Sequence, residues 1–209
     1  MLPFVIKGTV KMIKNIILDM GNVLLEYNPK KILDAVCATQ EGKDIILKEL
    51  FHGEEWILGD KGEIINSQRF DGAAQRVPVK YHKELRTCVD TWTDYMLPIP
   101  GARDFCLWAK GQGYHLFVLS NACGKFHDYF PKQYPPEWFD GVVVSSDIHM
   151  IKPDAGIYQY ILEKYHLVAQ ESIFIDDMEY NVEGAKAVGL HVEVFHNDFE
   201  SIKNQILTL

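Results

Sequence analysis

Apolar and polar positions along the chain follow two rhythms. From Ile16 to Leu18 an unbroken apolar run ends at a carboxylate, Asp19, after which Gly21 and Asn22 turn the chain before Val23, Leu24 and Leu25 resume. A run without polar alternation predicts a strand buried on both faces, as at the centre of a parallel sheet, and such sheets bind ligands beyond the carboxyl ends of their strands. Asp19 is therefore expected to face a crevice. From Lys30 to about Trp92 the spacing becomes helical. Ile32, Leu33, Val36 and Cys37 form one stripe, Ile45, Ile46, Leu50 and Phe51 a second, and Leu85, Cys88, Val89 and Trp92 a third. These stripes predict an all-helical insertion packed on a core. Between them, His52 to Trp56 and Gly59 to Glu63 are polar and punctuated by glycine, and are expected as loops able to carry recognition.

Leu97-Pro98-Ile99-Pro100-Gly101 closes the insertion. A helix is expected from Ala102, ended by Gly111 and Gly113. Strands follow at Tyr114 to Leu119, Gly141 to Val144, Ser172 to Ile175 and His191 to Phe195. Helices are expected between and after them: one opened by Lys152-Pro153, one from Asn181 to Val188, and one from Phe199 to Leu207. Strands separated by helices imply right-handed crossovers and a doubly wound parallel α/β sheet.

With 209 residues and 47% hydrophobic content the chain can bury a substantial core. The formal net charge of −8, without a long Lys/Arg cluster, argues against nucleic acid or an anionic membrane as partner and favours a small diffusible substrate. Cys37, Cys88, Cys106 and Cys123 are scattered without metal or disulfide spacing, which fits a reducing cytoplasm, and the eight histidines show no ligand spacing. The opening Met1 to Lys7 lacks the features of a secretory signal, and Met12 is an alternative start. No apolar run reaches membrane-spanning length.

Three expected strand ends carry chemistry: Asp19, Ser120-Asn121 and Asp176-Asp177, with Lys152 opening a helix beside them. Carboxylates, a hydroxyl, an amide and an ammonium are the groups that a phosphate ester and Mg²⁺ require. Four motifs stand in order: Ile17-Leu18-Asp19-Met20-Gly21-Asn22-Val23-Leu24, Phe117-Val118-Leu119-Ser120-Asn121, Lys152-Pro153-Asp154, and Phe174-Ile175-Asp176-Asp177 with Asn181. From Asn15 to about His196 the chain resembles the haloacid dehalogenase-like hydrolase superfamily, most of whose members are Mg²⁺-dependent phosphatases. Residues 130–135 and 150–153, with the first motif, are similar to a group that includes an α-D-glucose-1-phosphate phosphatase.

The resemblance implies a Rossmann-like core (1–28 and 95–209) interrupted by a helical-bundle cap (29–94). It makes Asp19 the nucleophile, which binds Mg²⁺ together with the Gly21 carbonyl and Asp177. Ser120, Asn121 and Lys152 would grip the phosphoryl oxygens, while Asp176 and Asn181 would support the metal shell. Glu54, Asp60 and Glu63 are candidate cap contacts to a substrate expected to be sugar-like. One position departs from the family pattern. The second Asp that usually protonates the leaving oxygen is replaced by Gly21, so anomeric, aryl or acyl phosphates are expected to be favoured over primary alkyl ones. A dehalogenase attacking carbon through Asp19, and a phosphate-binding regulatory protein without turnover, are the alternatives. Monomer and dimer are both left open.

Overall fold

The computed structural model describes residues 13–209; the apolar opening and the alternative start at Met12 lie outside them. Strand β1 (Asn15–Leu18) is wholly buried, and its neighbours explain why. A five-stranded sheet runs in the order β3-β2-β1-β4-β5, where β2 is His115–Ser120, β3 Gly141–Val144, β4 Ser172–Asp176 and β5 His191–Val194. All pairings are parallel, with Ile17 aligned to Phe117 on one side and to Phe174 on the other. The doubly wound sheet expected from the sequence is present.

Alternation along the central strands divides the core into two layers. Ile16, Leu18, Leu116, Val118, Ile173 and Ile175 belong to one apolar cluster, together with Phe105 of α6 (Ala102–Gly111), Phe130 of α7 (Phe126–Gln133) and Ile202 of α11 (Phe199–Thr208). Ile17, Phe117, Leu119 and Phe174 face the opposite side, against α9 (Ala155–Lys164) and α10 (Glu179–Ala187). A short helix, α8 (Ser145–Ile148), follows β3 directly.

The helical segment after β1 contains α1 (Pro29–Val36), α2 (Gln40–Ile46) continuing into a π turn at Leu47–Phe51, α3 (Glu54–Asp60), α4 (Asn66–Ala73) and α5 (His82–Thr91). Local chemistry sets its start: the Asn28 side chain accepts from the Lys31 amide, and Pro29 supplies the fixed φ of a first helical position. Buried Ile32, Leu33, Leu50, Leu85 and Val89 join the first apolar cluster, so this segment is packed on the sheet layer.

Two expectations fail here. Of the two stretches expected as loops, residues 54–56 and 59–60 lie in α3, while 52–53 and 61–63 stay outside helices. Gly59 suggested a turn, yet it lies inside α3, where a Cβ would collide with the Arg69 guanidinium; the glycine is required by close packing. Nor does Pro153 open a helix. The Asn121 amide bonds both the N–H of Lys152 (2.8 Å) and its C=O (3.0 Å), fixing that backbone outside a helix, and α9 begins at Ala155 with Asp154 at its N-cap.

Candidate active site

The strand order places the chemistry. β2, β1 and β4 are adjacent, so Ser120-Asn121, Asp19 and Asp176-Asp177 emerge side by side at one edge, across the point where the strand order reverses. The Asp19 amide donates to the Ile175 carbonyl (2.9 Å), tying the end of β1 to β4. Carboxylate oxygens of Asp19, Asp176 and Asp177 lie within 4.8 Å of one another.

Lys152 sits among them, almost completely buried, with Nζ 2.7 Å from both Asp19 Oδ1 and Asp176 Oδ2. Burial would pull its pKa down, but the charges of Asp176 and Asp19 outweigh burial and hold it above the ordinary lysine value. Burial pushes the Asp19 carboxyl up to about 7; Lys152 opposes the rise, while Asp176 and Asp177 add to it. Asp177 is raised too, chiefly by burial and against a hydrogen bond from Asn22. Three carboxylates against one ammonium leave an excess of negative charge in a space of low dielectric.

The carboxylates are not equivalent. Both Asp176 oxygens are occupied: Oδ1 accepts from the Met178 amide (2.8 Å) and Asn181 Nδ2 (3.0 Å), and Oδ2 from Lys152 and, at 3.1 Å, from the same Asn181 nitrogen. Asp177 Oδ2 accepts from Asn22 Nδ2 (3.1 Å), and Asn22 is itself held by the Tyr27 amide (2.9 Å). The sequence marks Asn22 only as a turn residue after Asp19, with no role at the site. Its signal was a Gly-Asn turn at a strand end: the residue sits at φ 54°, a left-handed conformation that asparagine tolerates better than most side chains.

A cavity of about 250 Å³ opens before Asp19 and is bordered by Gly21, Asn121, Lys152, Asp177 and Asn181. The Asn121 side chain bonds the Lys152 backbone on both sides and so positions Lys152, while it also borders the cavity. Ser120 Oγ and Asn181 Oδ1 are buried with no hydrogen-bond partner among the described residues. Of the cap candidates, Asp60 borders the cavity, whereas Glu54 and Glu63 are exposed and do not. Asp60 Oδ1 is 2.6 Å from Arg69 Nη2, its backbone carbonyl accepts from Ser145 Oγ, and burial pushes its carboxyl up to about 6 against the pull of Arg69. Cys123 is buried beside Arg69 (3.6 Å) and does not border the cavity.

The model of the family described as haloacid dehalogenase-like hydrolase matches residues 60–195. The chain belongs to that family. This hydrolase is 28% identical to the sesquiterpene phosphatase astK of Aspergillus oryzae over 178 residues, 85% of this chain and 87% of that protein. An HAD family enzyme of Bacteroides thetaiotaomicron, crystallised with magnesium and inorganic phosphate, superposes with a TM-score of 0.71 at 20% identity, over 91% of this chain and 98% of that one. The L-2-haloacid dehalogenase of Xanthobacter autotrophicus with chloropropionic acid covalently bound gives 0.66 at 17% identity, over 94% and 83%. These two likenesses establish the fold of the hydrolase. None of its described helices is long and apolar enough to cross a membrane.

Proposed function

We propose that the hydrolase is a Mg²⁺-dependent phosphomonoester hydrolase acting through an aspartyl-phosphate on Asp19. The observation that carries this reading is the asymmetric carboxylate cluster. Asp176 is saturated by hydrogen bonds, while Asp19 keeps Oδ2 and Asp177 keeps Oδ1 without a side-chain partner. Hard oxygen donors with excess negative charge fit a divalent cation, and the unpartnered Asn181 Oδ1 beside them fits a water of its shell. Asp19, Asp177 and the Gly21 carbonyl would hold the ion, whose contribution is to screen the nucleophile from the phosphoryl charge and keep Asp19 ionised near neutral pH.

The chain's own groups supply the remaining work. Asp19 Oδ1 rests on the Lys152 ammonium, which fixes the carboxylate and places positive charge where phosphoryl oxygens gather. The orphaned Ser120 hydroxyl is one further donor to them. Asn121 holds the Lys152 backbone from both sides, so that ammonium is set in place before substrate arrives. Attack of an Asp19 oxygen on phosphorus expels the alcohol, and water then releases phosphate and restores Asp19. The family resemblance points to a sugar as that alcohol, but the aromatic wall of the cavity argues against it.

The phosphatase name of the Aspergillus relative supports this assignment of reaction class. A dehalogenase attacking carbon has no use for Asp177 and its Asn22 tether. Phosphate release from 4-nitrophenyl phosphate, dependent on Mg²⁺ and abolished by EDTA, is the expected result; 2-haloacid hydrolysis surviving EDTA would replace this reading.

A further inference from the structure

The wall of the cavity beyond the charged cluster is made of aromatic rings and thioethers. Tyr27, Trp56, Trp92, Tyr129, Met96 and Met178 border it. The rings brace one another, with centroids 5.2 Å apart for Trp56 and Trp92, 5.9 Å for Tyr27 and Trp56, and 5.6 Å for Trp92 and Tyr129. Most of this wall is ring face and thioether, with Tyr180 at the exposed rim. Tyr129 Oη is turned to Met20 Sδ (3.7 Å), while Tyr27 Oη and Trp92 Nε1 are buried without a protein partner among the described residues and are two of the few polar atoms this wall leaves unmet. The one carboxylate on this side, Asp60, is engaged by Arg69, and Asn22 is engaged at both ends. A sugar would lay most of its hydroxyls against ring faces and sulfur, losing more hydrogen bonds to water than these few groups could replace.

A second observation narrows the choice. At Gly21 the space beside Asp19 carries no carboxyl group, and the nearest atom a Cβ would meet there is Asp19 Oδ2 at 3.9 Å. A leaving oxygen that departs without proton assistance must come from an acidic alcohol. The wall selects an apolar group and the missing acid selects a stable anion; a phenol satisfies both.

Resting on the reaction class proposed above, we infer that the substrate is an aryl phosphate whose ring occupies the space among Trp56, Trp92, Tyr27 and Tyr129. An Asp19 carboxylate oxygen bonds to phosphorus as the P–O(aryl) bond breaks, and the phenolate leaves with that electron pair and takes a proton from water. A second water then adds to phosphorus, the bond to Asp19 breaks, the carboxylate is restored, and inorganic phosphate departs while the surplus proton goes to solvent. The cavity volume of about 250 Å³ lies at the small end for ligand sites, which suits one compact ring system beside the phosphate.

The test separates ring recognition from leaving-group chemistry by measuring binding of non-hydrolysable phosphonates to the Mg²⁺-loaded protein. Benzylphosphonate is expected to bind at least about tenfold more tightly than the 1-C-phosphonate of glucose, the size of effect that differential apolar burial gives. Met178→Ser, at a rim position that is 40% exposed and replaceable without disturbing the core, is expected to weaken benzylphosphonate about threefold or more. Sugar phosphonate binding as tightly as benzylphosphonate, in a protein that releases phosphate from esters, overturns the aryl assignment alone. Failure of every ester to release phosphate, with no phosphonate bound, overturns the proposed reaction class and this inference with it.

Discussion

The ion pair of Asp60 and Arg69 at the cavity edge gives a sharp prediction for Arg69→Met. Arg69 is 1% exposed; its Nη2 donates to the Trp56 carbonyl (2.9 Å) and Asp60 Oδ1 (2.6 Å), and its guanidinium lies 4.2 Å from the Trp56 ring centroid. Methionine keeps much of the volume and strands the Asp60 charge. Removing one partner of a buried pair costs about 3–5 kcal/mol, which for a chain of this size is a fall in Tm of roughly 6–20 °C. The loss depends on pH. Asp60, moved from its ordinary 3.8 to about 6, keeps an elevated value because burial outweighs the pull of Arg69. Without Arg69 that value rises further, so the folded variant holds its proton more tightly than the unfolded chain does. Its stability therefore increases as pH falls through the raised folded pKa toward the unfolded value, and each further unit of elevation widens the pH-dependent gap by about 1.4 kcal/mol. Thermal unfolding of both proteins from pH 8 to pH 5 checks this, with the Tm difference expected to shrink on acidification. A deficit below about 1 kcal/mol, or one independent of pH, would refute the argument, since exposed pairs behave that way.

Two further substitutions address the metal and the missing acid. Asn22→Gly retains the left-handed backbone at φ 54° and removes the tether of Asp177, so half-saturation by Mg²⁺ should rise about 10–100-fold with the fold intact by circular dichroism; an unchanged requirement would show that Asp177 needs no anchor. Gly21→Asp has room at Cβ, and should raise turnover of primary alkyl phosphates relative to aryl phosphates, within the ~10²–10⁴-fold span of general acid–base catalysis. An equal response of both ester classes would mean that leaving-group protonation does not limit this enzyme.

Legibility followed physical locality. The apolar run of β1 ending in Asp19 was readable because burial on both faces leaves no polar residues to obscure the pattern, and the strand order then brought Ser120, Asn121, Asp176 and Asp177 to one edge. Long-range packing hid the rest. Gly59 looks like a turn and is a helical residue flattened beneath Arg69, a partner ten positions away that no local pattern announces. Asn121 has the right type for a phosphate ligand, and its amide also holds the Lys152 backbone across 31 residues. The apolar character of the cavity was equally concealed, because Trp92 sits in a stripe that reads as ordinary core and Trp56 ends a polar stretch that reads as a loop, and only their convergence in front of Asp19 makes them a wall.

The central claim is that Asp19 carries the phosphoryl group. Wild-type protein mixed with Mg²⁺ and excess 4-nitrophenyl phosphate, quenched in acid during turnover and digested, should yield the Asp19 peptide bearing one phosphoryl group. Loss of the base expected at position 21 slows the water step and favours its accumulation. Asp19→Asn, folded as the wild type, should show neither the modified peptide nor phosphate release, a loss of at least about 10³-fold. Phosphate release by Asp19→Asn at the wild-type rate, or a phosphoryl group trapped on a different residue, would contradict the account.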